Sequence, residues 1–296
     1  MSDITLSSAT RSNLLSLQST SDLIGRTQER LATGLKVNSA IDDALAFFKA
    51  RNLNSRASDL ASIKDAVNGG ISVITAAVQG LEAIESVLKQ MKALAQSAIS
   101  APESATRAKL ASQFNELRSQ VDNLAEDASF NGVNLLKNST AAFQSGADQL
   151  TIKFNERTET SAVNQLIVSG LKAADFTSML ATSATATGTA GDAAVWGQTG
   201  STAVTAINGA IRAIDSALVT VRQAAQGFGT NSALLSIRAD FTTNLINTLK
   251  AGASDLVNAD LNEESANLLS LQTRQQLGTI SLSIAQRSEQ SILRLF

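Results

Sequence analysis

Two adjacent carboxylates, Asp42 and Asp43, are the residues of this chain whose pairing could do chemistry: proton transfer, or a divalent cation held between them. Neither chemistry finds its other half. The 296 residues include no histidine and no cysteine, which removes imidazole bases, thiolate nucleophiles, disulfides and the usual zinc or copper ligands together. No third carboxylate clusters with the pair, and residues 172–203 hold neither an HExxH motif nor a nucleophile beside a base. The sequence therefore assigns no catalytic residue, no metal ligand and no cofactor. A helix start accounts for the pair instead. Ser39 with Asp42 three residues on has the spacing of a cap, and both carboxylates favour the positive end of a helix dipole.

The elements around that start are long helices. From Leu60, steps of three and four give Ile63, Val67, Gly70, Ile74, Ala77, Leu81, Ile84, Leu88, Met91, Ala95 and Ala98, with no charged residue on the stripe. Such an alternation marks a helix packed lengthwise on other helices. It runs from the Ser39 start to about Ser100. Asn68-Gly69-Gly70 interrupts its propensity, either to admit a close neighbour or merely by loosening a turn. A second stripe, from Val204 through Ile207, Ile214, Val221, Phe228, Leu235 and Ile246 to Leu249, makes a return helix over about 203–250. Gly227 and Gly229 are a candidate kink in it, and Gly252 with Ser254 a short joint after it. Pro102 breaks the first long helix, and Leu110, Phe114, Leu117, Val121, Leu124 and Ala128 form a shorter one that folds back. The three make a bundle.

Between them the period changes. Asn131-Gly132 is a turn signal, and Leu150, Ile152 and Phe154 alternate with Thr151 and Lys153 as in a half-buried strand, so a hairpin region covers about 130–170. Residues 172–203, rich in Ala, Thr, Ser and Gly and carrying the single tryptophan, Trp196, read as a surface excursion. Thr182, Ser183, Thr185, Thr187 and Thr189 in it are either O-glycosylation acceptors or an unmodified flexible loop.

The ends have helices of their own. After a loose start over residues 1–12, Leu14, Leu17, Ser21, Ile24, Gln28 and Leu31 step to about Ala32, and Gly34 follows. A last helix begins near Asn262, Glu263 and Glu264 and carries Leu268, Leu269, Leu271, Leu277, Ile280, Leu282, Ile284, Ile292, Leu293, Leu295 and Phe296. Its apolar residues fall on more than one face, so it must be buried on more than one side. The fold class is mainly α: a long antiparallel helical bundle or coiled coil, a small β-hairpin region, and a nested N- and C-terminal helix pair. Residues 1–40 and 255–296 form a terminal-helix domain, 41–171 and 203–254 the bundle with its hairpin, and 172–202 a short variable surface segment. One helical pair cannot cover a many-sided apolar surface. The terminal helices, expected largely disordered in a free monomer, bury theirs against other copies. Contact through unlike patches grows without closing, which favours a filament subunit over an enzyme.

Charge and hydropathy narrow the partners. With 24 Lys plus Arg against 26 Asp plus Glu and no basic run, nucleic acid lacks its electrostatic footprint. No unbroken run of about 18 apolar residues is present, so membrane insertion is not expected, and the first twenty residues lack the pattern of a cleaved signal peptide.

Residues 29–44 read ERLATGLKVNSAIDDA, and this resembles the N-terminal signature of bacterial flagellins through Glu29, Arg30, Leu31, Gly34, Lys36, Val37, Asn38, Ala40, Asp42, Asp43 and Ala44. The likeness continues at Gly70-Ile71-Ser72, Phe130-Asn131-Gly132 and Phe143-Gln144, and returns at Gln275-Gln276, Gly278, Leu282, Ala285, Gln290, Leu293 and Leu295. The resemblance implies a self-polymerising subunit of the extracellular flagellar filament, a propeller for swimming. Its terminal helices would line an inner channel and join copies through Leu14, Leu17, Ile24, Leu31, Leu268, Leu271, Leu277, Ile280, Ile284, Ile292 and Leu295. It implies as partners the flagellar type III exporter, a secretion chaperone, the filament cap, hook-junction proteins and other flagellins. The hook-filament junction protein is the alternative within that system, and a non-flagellar coiled-coil scaffold the alternative outside it.

Three departures stand out. Asn68-Gly69-Gly70 replaces a pattern with an acidic residue before the last glycine. The large outer domains are missing, which implies a thin filament. Between Lys89 and Leu94, Gln90 and Ala93 stand where the family usually has Arg and Glu, which implies weak recognition by the toll-like flagellin receptor.

Overall fold

The computed structural model describes residues 8–137, 148–156, 164–171, 193–198 and 200–293. In chain order the elements are α1 (Ser8–Thr33), α2 (Ala44–Ser100), α3 (Ser104–Asp127), β1 (Gln149–Lys153), β2 (Gln165–Ser169), α4 (Ala193–Trp196), α5 (Ser201–Val257) and α6 (Leu261–Leu293). The chain forms two compact units, residues 58–246 and the two ends, 1–57 with 247–296.

In the unit of residues 58–246, the long stripe of α2 is the core. Every member from Val67 to Ala98 is buried, while Ile63 is half-buried. Phe114 and Val121 of α3 and Ile207, Ile214, Val221, Phe228 and Leu235 of α5 join it. The alternation of three and four keeps one side of each helix toward the others. Glu85 pairs with Arg222 at 3.0 Å and Lys92 with Asp215 at 2.5 Å, so α5 runs antiparallel to α2. These pairs are largely exposed and are worth about 0–1 kcal/mol each; the stripe sets the packing. By length and mean hydropathy, α2 and α5 each contain a window apolar enough to cross a membrane. Alanine raises that average without an unbroken apolar run, and the stripes of both helices are occupied by the bundle core.

The hairpin is antiparallel, with Leu150 opposite Val168 and Ile152 opposite Leu166. These four form the face turned to the core, and Lys153 and Ile167 point away. Gly70 is where this face lands: a Cβ there would run into Ile152 Cδ1 and lie 3.6 Å from Leu150 Cδ2, whereas at Gly69 it would meet nothing within 4 Å. Gly70 thus admits a close neighbour. Asn131 (φ 50°) and Gly132 (φ 82°) form a two-residue turn that pairs Phe130 with Val133, apart from the β1–β2 pairing.

Trp196 corrects the reading of 172–203 as surface throughout. It is fully buried on α4 against Phe114, ring centroids 5.2 Å apart. Arg107 of α3, itself buried, donates to the carbonyls of Trp196 and Gln198 at 2.9 and 2.6 Å and to those of Ala101 and Pro102 at 2.9 and 3.0 Å. Thr182, Ser183, Thr185, Thr187 and Thr189 lie outside the described residues.

Several boundaries also move. α1 begins at Ser8, inside the segment expected to be loose, with Thr10 buried. α2 begins at Ala44, five residues after Ser39. It is 57 residues long, about 85 Å at the helical rise. α5 runs unbroken through Gly227, Gly229, Gly252 and Ser254 to Val257, because a helix already held by tertiary packing tolerates isolated glycines. The joint is therefore residues 258–260, and α6 opens with Asp260 accepting from the backbone N–H of Asn262 at 2.8 Å and of Glu263 at 3.3 Å.

Candidate self-assembly site

In the unit of the two chain ends, the motif at 29–43 builds a joint. Gly34 closes α1 at φ 70°, donating to the Arg30 carbonyl at 2.8 Å. The next residues pair with the end of α5: Lys36 N–H donates to the Val257 carbonyl at 2.7 Å, and Ala259 N–H to the Gly34 carbonyl at 3.0 Å. Arg30 meets Glu264 of α6 at 2.9 Å. A cation at the end of α1 and an acid in the first turn of α6 each complement a helix dipole as well as one another. Glu29 accepts from the Asn38 amide at 3.3 Å, and Leu31 is half-buried.

Asp42 and Asp43 have separate duties, which corrects Ser39 as the cap. One Asp42 oxygen accepts from the Asn38 N–H, the Ser39 N–H and the Ser39 hydroxyl at 3.1, 2.9 and 3.0 Å, tying a turn shut. The Ser39 bonds, followed by that from Asn38 and the charge of Arg30, hold its carboxyl below the ordinary value of 3.8. Asp43 caps α2 by accepting from Ala46 N–H at 2.9 Å. Accepting backbone donors accounts for the carboxylate pair.

α1 and α6 pack antiparallel, Leu17 beside Gly278 and Arg30 beside Glu264. Each helix turns one alternating row to the other. On α1 the row is Thr10, Asn13, Leu17, Thr20, Ile24, Thr27 and Leu31. It shares Leu17, Ile24 and Leu31 with the row read from sequence but takes the alternate positions between them, so Leu14, Ser21 and Gln28 face outward. Leucines seven apart are compatible with either phase. On α6 the row is Glu264, Leu268, Leu271, Gln275, Gly278, Leu282 and Ala285. A Cβ at Gly278 would lie 2.9 Å from Leu17 Cδ2.

That pairing leaves a second apolar face bare. Leu277, Ile280 and Ile284 are 62%, 55% and 61% exposed, and Leu269 on the same helix and Leu14 and Leu15 on α1 are exposed too. Of the residues expected to join copies, Leu17, Ile24, Leu31, Leu268 and Leu271 are partly spent within the chain, while Leu14, Leu277, Ile280 and Ile284 remain available. The side chain of Ile292 and all of Leu295 lie outside the described residues. Sequence reasoning missed Asp260 as a cap and the Arg30–Glu264 pair, although an Arg in a last turn and an acid in a first turn were both visible.

Residues 4–141 match the family described as the bacterial flagellin N-terminal helical region, and residues 211–296 its C-terminal helical region. The chain is 34% identical to Flagellin FljM of Caulobacter vibrioides over 96% of its own length and 94% of that protein's. It is 29% identical to Flagellin C of Rhizobium meliloti over 100% of its length and 99% of that protein's, and 28% identical to a flagellin of Brucella melitensis with the same coverage.

Proposed function

The chain belongs to the bacterial flagellin family and is a self-polymerising structural subunit of the extracellular filament used for swimming; from that premise we propose that α1 and α6 are the surface through which its copies join. The observation that carries this is the bare apolar row Leu277, Ile280 and Ile284, left over after the opposite face of α6 has packed on α1. Fully burying one such side chain is worth about 1.5–3 kcal/mol. A row repeated in every subunit is the right order of magnitude to meet the cost of association.

On this reading the signature residues Glu29, Arg30, Leu31, Gly34, Asn38, Asp42 and Asp43 build the joint between the terminal helices and the first turn of α2. Residues 1–40 with 255–296 act as the terminal-helix, inner-core domain, 41–171 with 203–254 as the long-helix bundle with its hairpin, and 172–202 as the variable surface. Export proceeds without a cleaved signal peptide, through the flagellar type III exporter with a chaperone, and growth takes place under a cap beyond the hook-junction proteins. The residues Thr182–Thr189 carry O-linked sugar or none, which the intact mass of native filaments decides.

Electron microscopy of the purified chain, nucleated with short filament seeds or a precipitating salt, tests the proposal. Long filaments are expected from the intact chain and none from chains lacking 261–296 or carrying Leu277→Asp with Ile280→Asp. Filaments of ordinary length from the double substitution would overturn the assignment of this face. Short oligomers from the intact chain would point to a junction protein instead.

A further inference from the structure

We propose that the turn carrying Ile41 is a knob that docks into the apolar groove beside the first turns of α2 in a second copy of this chain, a subunit contact additional to the bare face of α1 and α6. The proposal rests on the filament reading above. Ile41 is 96% exposed, more than any other large apolar side chain among the described residues. Packing in its own chain gives no reason for an isoleucine there. Its backbone is nonetheless fixed, since Asp42 gathers three hydrogen bonds from Asn38 and Ser39 and the Asp42 N–H returns one to the Ser39 carbonyl at 3.2 Å. An apolar side chain displayed on a turn that is already ordered loses little further freedom on docking.

The receiving groove has about 300 Å³ of space, lined by Leu35, Val37, Phe47 and Val257 with the polar Asn38 and the exposed Arg51 and Asn54. Ile41 of the same chain does not fill it, as its exposure shows. Charge selects the partner. The knob is flanked by the carboxylates of Asp42 and Asp43, and the rim carries Arg51, which has no acidic partner among the described residues. An acid-flanked apolar knob and a cation-rimmed apolar groove are unlike, complementary patches on one molecule. A contact between unlike patches adds copies head to tail, as a growing filament requires.

The chain has no cysteine, so engineered thiols report this contact alone. An equimolar mixture of Ile41→Cys and Asn54→Cys chains is polymerised on seeds, oxidised and digested, and disulfide-linked peptides are identified by mass spectrometry. In parallel, the critical concentration of Ile41→Ser is measured beside that of the unsubstituted chain, with far-UV circular dichroism and thermal melting of both monomers. The expected results are a 41–54 linkage between chains in filaments and not in monomers, and a critical concentration raised about tenfold or more with monomer melting unchanged. Filaments without the linkage, formed by Ile41→Ser at the unsubstituted critical concentration, would overturn the proposal while leaving the filament reading intact. Failure of the unsubstituted chain to polymerise would overturn both.

Discussion

A methyl group added at Gly80 would lie 2.6 Å from the Cβ of Ala128 and 2.8 Å from Leu136 Cδ1, whereas one added at Gly69 would meet nothing within 4 Å. Alanine is the better helix former by about 1 kcal/mol at either site, so the two substitutions separate packing from propensity. Gly69→Ala is expected to raise thermal stability by about 0.5–1 kcal/mol. Gly80→Ala should lower it by about 1–2 kcal/mol net, because the Ala128 methyl cannot swing aside and overpacking outweighs the propensity gain. Equal shifts in melting temperature would contradict this. Asp42 gives a pH prediction at the same scale. Its folded-state pKa lies below its unfolded one, so the stabilisation it supplies is complete above the ordinary carboxylate value and is lost as pH falls through the depressed folded value. Amide protection at Asn38 and Ser39, corrected for intrinsic exchange, is expected to fall over that acid window and to be low at every pH in Asp42→Ala.

Among the described elements, α4 is the smallest. Four residues carry Trp196 against Phe114, and one guanidinium on α3 secures the carbonyls of Trp196 and of Gln198 just beyond it, together with those at the Pro102 break. A planar fork can serve four acceptors, while an ammonium on a flexible stem cannot reach the same set. Arg107→Lys is therefore expected to cost about 1–3 kcal/mol, the range for leaving buried polar groups unsatisfied. Trp196 is the single tryptophan, so its fluorescence reads the element directly. Emission shifted to the red in native Arg107→Ala would show the indole released to water, and an unchanged spectrum would mean that α4 holds without the clamp.

For the molecule as a whole, the surface of α2 between Lys89 and Leu94 bears on recognition by other organisms. Gln90 and Ala93 are both exposed, and Lys89 is engaged with Glu85 at 3.1 Å. A face that presents neither a cation at 90 nor an acid at 93 lacks the charged donors and acceptors its family resemblance leads one to expect. Weak or absent response in a toll-like receptor reporter-cell assay is the expected outcome, and full potency would refute it.

The spacing of apolar residues by itself determined the long helices. From Val67 to Ala98 the α2 stripe is buried, because an alternation of three and four has one packing solution when no polar residue interrupts it. The family, too, was legible in residues 29–44. Other features needed tertiary structure, each for a stated reason. Leu17, Ile24 and Leu31 fit two helical phases, and only the approach of Gly278 to Leu17 selected one and turned Leu14 outward. Trp196 lies in a stretch without periodicity, and its burial depends on Phe114 and Arg107, more than eighty residues away in the chain. Asp42 and Asp43 both suit a helix start by type, but which one caps α2 and which one ties the turn depends on backbone directions that adjacent, identical side chains do not encode. The same holds for Ile41: its hydrophobicity is written in the sequence, and its place on an ordered turn, outside the core, is decided by the hydrogen bonds around it.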